Sequence, residues 1–185
     1  ALRHAKKTRR GELVLYEPGL ERNSELRAQL ESELRSAIDL KQLLLVLQPK
    51  GCLSRGGLVG AEALIRWAHP KRGLVSPAEF LPLAADAGLM GVIDQMVLQQ
   101  AIRHSTELRS LGVAVPISIN LSVSSLSDVC MVDRIRESLH EAKLPPQMLE
   151  IEIPEDALMQ NVEASAKVLS GLNAMGVRIS IDDFG

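Results

Sequence analysis

The sequence predicts an α/β protein built on a parallel sheet, either doubly wound or closed into a TIM-type barrel. Three observations carry that expectation. From Gly112 onward, short apolar runs alternate with stretches of helical periodicity, the pattern of strands joined by helical crossovers. No glycine-rich dinucleotide or phosphate loop follows any of these runs, which counts against the nucleotide-binding open sheets. Polar residues interrupt the runs near their C-terminal ends, where TIM barrels build their active sites.

Composition sets the outer bounds. The chain has 185 residues, 46% hydrophobic and 24% charged, enough for one full domain or parts of two. Aromatics are only 2%, so the core must come from Leu, Val, Ile, Ala and Met. A net charge of −2 gives no argument for DNA, RNA or an anionic membrane as partner. Cys52 and Cys130 lie far apart, indicating neither a zinc site nor a disulfide framework. No signal peptide is evident and no apolar run approaches the ~20 residues that span a bilayer, so a cytoplasmic domain is the default expectation.

The elements follow in order. Residues 1–11 read as the end of a helix stopped by Gly11, with Arg3, Lys6, Lys7, Arg9 and Arg10 suited to its negative terminus. Residues 13–16 form a short strand, and together these pieces look cut from something larger upstream. Residues 21–39 form a helix whose Leu26, Leu30, Leu34 and Ile38 make one narrow stripe, flanked by a Glu31–Arg35 pair. It fits a linker helix, a dimer seam or a barrel helix. A strand over 43–48 should end at Pro49, and a second, 59–67, follows a turn at Gly56-Gly57, making a hairpin. Ser76-Pro77-Ala78-Glu79 starts a helix, with Ser as N-cap, Pro at N1 and Glu at N3, and Gly88 closes it. A longer helix covers 90–111. Strands are then expected at 115–121, 148–153 and 177–182, with helices at 132–142 and 162–175 between them.

The chemistry is concentrated on the strands. In 59–67, alternation places Glu62 and Arg66 on one face and Val59, Ala61, Ala63, Ile65 and Trp67 on the other. A carboxylate facing into a sheet needs a cation, either a metal ion, Arg66, or both. Asn120 ends one strand, Glu150 and Glu152 share a face of the next, and Asp182 and Asp183 end the last. Glu62, Asn120, Glu152 and Asp182 offer only oxygen, which suits hard cations such as Mg²⁺, Mn²⁺ or Ca²⁺ rather than zinc.

Glu62-Ala63-Leu64 with Arg66-Trp67, Ile119-Asn120-Leu121-Ser122, Glu152-Ile153-Pro154-Glu155 and Asp182-Asp183-Phe184-Gly185 resemble, in order, the motifs of the EAL domain family. Gln48-Pro49, His69-Pro70 and Ser76 to Phe80 also match, so the resemblance runs from about Leu34 to Gly185. Residues 1–18 are similar to the tail of a GGDEF domain, with 19–33 as a linker helix. The resemblance implies hydrolysis of cyclic di-GMP to the linear dinucleotide with Mg²⁺ or Mn²⁺, on a TIM-like barrel whose first strand is antiparallel to the others. Glu62, Asn120, Glu152 and Asp182 match the family's metal ligands. Asp183 matches an aspartate that helps hold a second metal and positions water, and Glu155 matches a glutamate that braces a loop over the site. Gln48 and Arg66 match residues that contact the dinucleotide. The implied partners are cyclic di-GMP, an upstream GGDEF or sensor domain that could be membrane-anchored, and a second copy of the chain as one option.

Three residues depart from the family pattern. Leu47 replaces a tyrosine expected beside the substrate, Pro154 a threonine between Glu152 and Glu155, and Ala85 a common acidic residue. The family's later motifs, including a lysine, another metal-binding glutamate and a glutamine, would lie beyond Gly185, and an eight-stranded barrel typically takes ~250 residues. The fragment alone is therefore expected to be inactive, and its open sheet edge to promote association. For the intact protein the reading is a phosphodiesterase. The alternatives are a cyclic di-GMP receptor without turnover and an interaction module that has lost the ligand, the last disfavoured by the retained ligand set.

Overall fold

A computed structural model describes residues 18–54, 56–154 and 161–182. The helix end expected at 1–11 and the strand at 13–16 lie outside the described residues, as do Glu155 and Asp183.

Helix α1, Pro18–Asp39, leads into a hairpin of β1, Leu43–Gly51, and β2, Leu58–His69. A short strand β3, Gly73–Val75, precedes α2, Pro77–Asp86, and α3, Met90–Ser110. Then come β4, Ile117–Asn120, a four-residue helix α4, Val123–Leu126, and α5, Cys130–Glu141. A 3₁₀ turn at Pro146–Met148, β5, Leu149–Pro154, α6, Val162–Met175, and β6, Arg178–Asp182, complete the described chain.

Among the described residues the sheet has six strands, in the order β1-β2-β4-β5-β6, with β3 paired to β2. β1 is antiparallel to β2, whereas β2, β4, β5 and β6 are mutually parallel. This is the barrel-type sheet with a reversed first strand. Alternation gives it two unlike faces. Ala61, Ala63 and Trp67, then Ile117 and Ile119, then Ile151 and Ile153, are buried on the side covered by helices. Ile93, Leu98 and Ala101 of α3, Met131, Ile135 and Leu139 of α5, and Val168 and Leu172 of α6 meet them there. Burying each such branched side chain contributes about 1.5–3 kcal/mol. The other face is polar, and it holds the site.

Local chemistry accounts for the boundaries. Ser76 caps α2, its Oγ accepting from the Ala78 N–H at 3.3 Å, with Pro77 at the first helical position. Gly176, at φ 89°, closes α6 in the left-handed conformation that glycine adopts without a Cβ penalty. Leu34 and Ala37 of α1 are fully buried in the common core, while Leu26 is 48% exposed. The C-terminal half of α1 is thus packed as a barrel helix.

Two expectations are corrected. β1 does not end at Pro49 but continues to Gly51. Among the described residues β1 is bonded to β2 alone, and a strand side with no ladder partner tolerates a proline without N–H. Leu47 does not stand beside the site. It pairs with Ala63 and packs into the helix-facing core, one residue out of phase with Gln48 and Glu62. β3 and α4 were not expected, because three and four residues are too short to show a period.

Candidate active site

The polar face is built from every second residue of adjacent strands. Gln48 on β1 pairs with Glu62 on β2, Glu62 with Ser118 on β4, and Ser118 with Glu150 on β5. One pleat further toward the C-terminal ends, Asn120 pairs with Glu152, and Glu152 with Ser180 on β6. Position 182 pairs with Pro154, which places it a further pleat along on the same side of the sheet. The parallel register thus brings Glu62, Asn120, Glu152 and position 182 into one staggered row.

Asn120 Nδ2 donates to Glu62 Oε1 at 3.2 Å, which leaves the amide oxygen as the acceptor of that side chain. Glu152 is 7% exposed. Its Oε1 receives the ammonium of Lys50, which also donates to Ser118 Oγ at 2.7 Å and lies 3.9 Å from Glu150 Oε1. Ser180 Oγ donates to Glu150 Oε1 at 2.9 Å. The Glu62–Arg66 pair that alternation allowed is not formed. Arg66 Nη1 donates instead to the Ile65 carbonyl at 2.8 Å, half-buried beyond Glu62 along β2. Gln48 is exposed on the site face.

The donor chemistry fits a hard divalent cation: two carboxylates and an amide on neighbouring strands, with a positive side chain already drawn to the more buried carboxylate. Among the described residues no three Asp, Glu, His or Cys side chains converge tightly enough to hold a metal by themselves. β4 separates Glu62 from Glu152 and contributes Asn120 between them.

Behind the row, Asp94 of α3 is 3% exposed and holds the loop that follows Asn120. Its Oδ2 accepts from Ser122 Oγ, from the Ser122 N–H at 3.2 Å and from Ser125 Oγ at 2.6 Å. Burial pushes the Asp94 carboxyl above its ordinary range, although the serine hydrogen bonds pull the other way. A cavity of about 1280 Å³, lined by α2, the start of α3, residues 121–125 and Pro154, opens beside the C-terminal ends of β4 and β5.

Sequence reasoning missed Lys50, Ser118 and Asp94. Lys50 was readable in part, because it lies two positions after Gln48 and so shares its face. Asp94 gave no signal, being one acidic residue in an ordinary helical pattern.

Residues 31–185 match the EAL domain family. The chain belongs to that family. It is 39% identical over 186 residues to the bifunctional diguanylate cyclase/cyclic di-GMP phosphodiesterase MucR of Pseudomonas aeruginosa, covering 100% of this chain and 27% of that protein. It is 40% identical over 161 residues to the cyclic di-GMP phosphodiesterase NbdA of the same organism, covering 85% of this chain and 20% of the relative. A solved structure of the PaMucR phosphodiesterase in complex with c-di-GMP superposes with a TM-score of 0.81 at 42% identity, covering 85% of this chain and 64% of that one. The sequence thus spans about a quarter of the length of the curated relatives it matches. No helix among the described residues is long and apolar enough to cross a membrane.

Proposed function

We propose that the intact protein hydrolyses one phosphodiester bond of cyclic di-GMP, giving the linear dinucleotide, with Mg²⁺ or Mn²⁺ as cofactor. The observation that carries this reading is the staggered row of Glu62, Asn120 and Glu152, with position 182, on one face of a parallel sheet. Supporting it are the EAL family membership and the relatives described as acting on cyclic di-GMP.

Glu62, Asn120, Glu152 and Asp182 would hold a divalent ion, and Asp183 would share in holding a second. The chemistry a divalent cation supplies at such a site is activation of water and neutralisation of charge on the phosphodiester. The chain's own contribution is placement. Asn120 fixes Glu62 through its amide, so neither ligand has to find its rotamer when the site fills. Asp94 fixes the turn just beyond Asn120. Oxygen donors on rigid strands hold the constellation in place, and they do so without competing as nucleophiles. Gln48, opposite Glu62 on β1, and Arg66, further along β2 on the same face, would contact the dinucleotide. Glu155 would brace a loop over the metals.

The proposal extends to organisation. Residues 1–18 would be the tail of a GGDEF-like domain, 19–33 a linker helix and 34–185 the N-terminal part of the EAL domain, working in the cytoplasm under an upstream cyclase or sensor. A second reading, a receptor without turnover, rests on Pro154, whose ring replaces a donor N–H at the end of β5, immediately before Glu155. Chromatography of labelled cyclic di-GMP after incubation with the intact protein separates the two. Linear product that forms with Mg²⁺ or Mn²⁺ and vanishes on chelation supports the enzyme. Ligand retained uncleaved under both conditions supports the receptor.

A further inference from the structure

The polar face carries a cation that the functional reading does not use. Lys50 stands in register with Gly60, and its stem crosses that glycine. A Cβ at position 60 would lie 3.3 Å from the Pro116 carbonyl oxygen and 3.7 Å from Lys50 Cδ. Past this gap the ammonium meets Ser118 Oγ on β4 at 2.7 Å and Glu152 Oε1 on β5. Ser118 is 1% exposed and Glu152 7%, whereas the Lys50 side chain keeps 34% of its surface in solvent. The ammonium therefore has a buried seat and an open route out of it.

We propose that Lys50 is a tethered counter-cation that holds Glu152 in the metal-free protein and competes with the divalent ion for Oε1. The inference rests on the reading above in taking Glu152 as a metal ligand. A carboxylate as buried as Glu152 needs a positive partner at all times. Without metal, Lys50 is that partner and keeps Glu152 aligned between Asn120 and Ser180. A divalent ion on the same oxygen would crowd a second positive charge against the ammonium, so the ammonium must withdraw as the metal enters. A flexible four-carbon stem, already part-solvated, permits this. Lys50 is thus a positioning residue that sets the metal concentration at which the site fills. A purely structural lysine would change stability and leave metal affinity unmoved.

The test is Mn²⁺ binding to the chelator-stripped intact protein, with free Mn²⁺ read by electron paramagnetic resonance and the fold by thermal melting. Lys50→Met is expected to bind Mn²⁺ roughly tenfold more tightly than wild type, the scale of one charge-assisted contact on a part-exposed lysine. Its metal-free melting temperature should fall. Lys50→Arg keeps the charge and should stay within about threefold of wild type on the same scale. Ser118→Ala removes one partner of the ammonium while retaining Lys50, so affinity should rise by a smaller factor. That variant decides the matter if Lys50→Met fails to fold. Wild-type or weaker Mn²⁺ affinity in the Met and Ala variants would overturn the proposal, as would Lys50→Arg binding as tightly as Lys50→Met. Wild-type protein that binds no Mn²⁺ would overturn the metal-site reading itself, and this inference with it.

Discussion

Replacing Asp94 separates the value of a buried hydrogen-bond acceptor from the cost of a buried charge. All three serine contacts converge on one oxygen, Oδ2. Asp94→Ala removes that acceptor and leaves donors of Ser122 and Ser125 facing an apolar pocket. Hydrogen bonds to a charged group contribute about 1.5–3 kcal/mol each, and relief of carboxylate burial returns part of this. Ser122 Oγ also retains Ser124 Oγ at 2.8 Å. The expected net loss is roughly 2–4 kcal/mol, or about 5–15 °C in melting temperature for a domain of this size. Asp94→Asn offers one amide oxygen in place of Oδ2 and removes the charge, so its cost should stay below about 1 kcal/mol. The pH dependence gives a second signature. Because the folded carboxyl titrates above its unfolded value, the native state binds more protons than the unfolded state between the two. Stability from this group is then present below the unfolded value and declines as pH rises through the folded one. Asp94→Asn should lack that decline. Urea unfolding followed through Trp67, the one tryptophan in these residues and fully buried, reads both quantities. Equal destabilisation by Ala and Asn, or an unchanged pH slope in Asp94→Asn, would refute the reasoning.

Other consequences can be measured separately. His69 is buried, with Nδ1 accepting from the Lys71 and Arg72 N–H groups at 3.1 and 3.3 Å and Nε2 placed 3.1 Å from Glu33 Oε2. His69→Ala should therefore cost about 2–4 kcal/mol in a denaturation experiment, since it strands two backbone donors and unties α1 from β2; a loss under about 0.5 kcal/mol would deny that link. Pro154→Thr in the intact protein should raise turnover if the proline displaces Glu155, and an unchanged or lower rate counts against that role. Ca²⁺ should inhibit Mg²⁺- or Mn²⁺-supported hydrolysis by occupying the oxygen ligands with longer, looser coordination; equal turnover in Ca²⁺ would mean the ligand set is misread.

Much of the fold was legible because its signals are local. The α6 run ends at Gly176 and the α2 start carries a Ser-Pro pair, and both features stand where the sequence puts them. The row of Glu62, Asn120 and Glu152 could be anticipated because a carboxylate or amide in an apolar strand has to be explained by something opposite it. What opposes it was not legible. The partner of Glu62 is an amide 58 residues away, and the cation on Glu152 comes from the first strand, across a register that no single strand encodes. Leu47 was misplaced because the resemblance set its position beside the substrate, whereas a period of two sends it to the face opposite Gln48. Pro49 misled because proline is a breaker only where its missing N–H would have been bonded.

The central claim is metal-dependent cleavage of cyclic di-GMP on this polar face, and Glu62→Ala tests it most directly. Glu62, the proposed ligand, is held by Asn120 on a strand whose core contacts run through the opposite face, so the variant should fold and lose only the chemistry. With Mn²⁺ and labelled cyclic di-GMP, the intact wild-type protein should yield the linear dinucleotide and Glu62→Ala should return the cyclic substrate unchanged. Linear product formed at the wild-type rate by a folded Glu62→Ala variant would contradict the account.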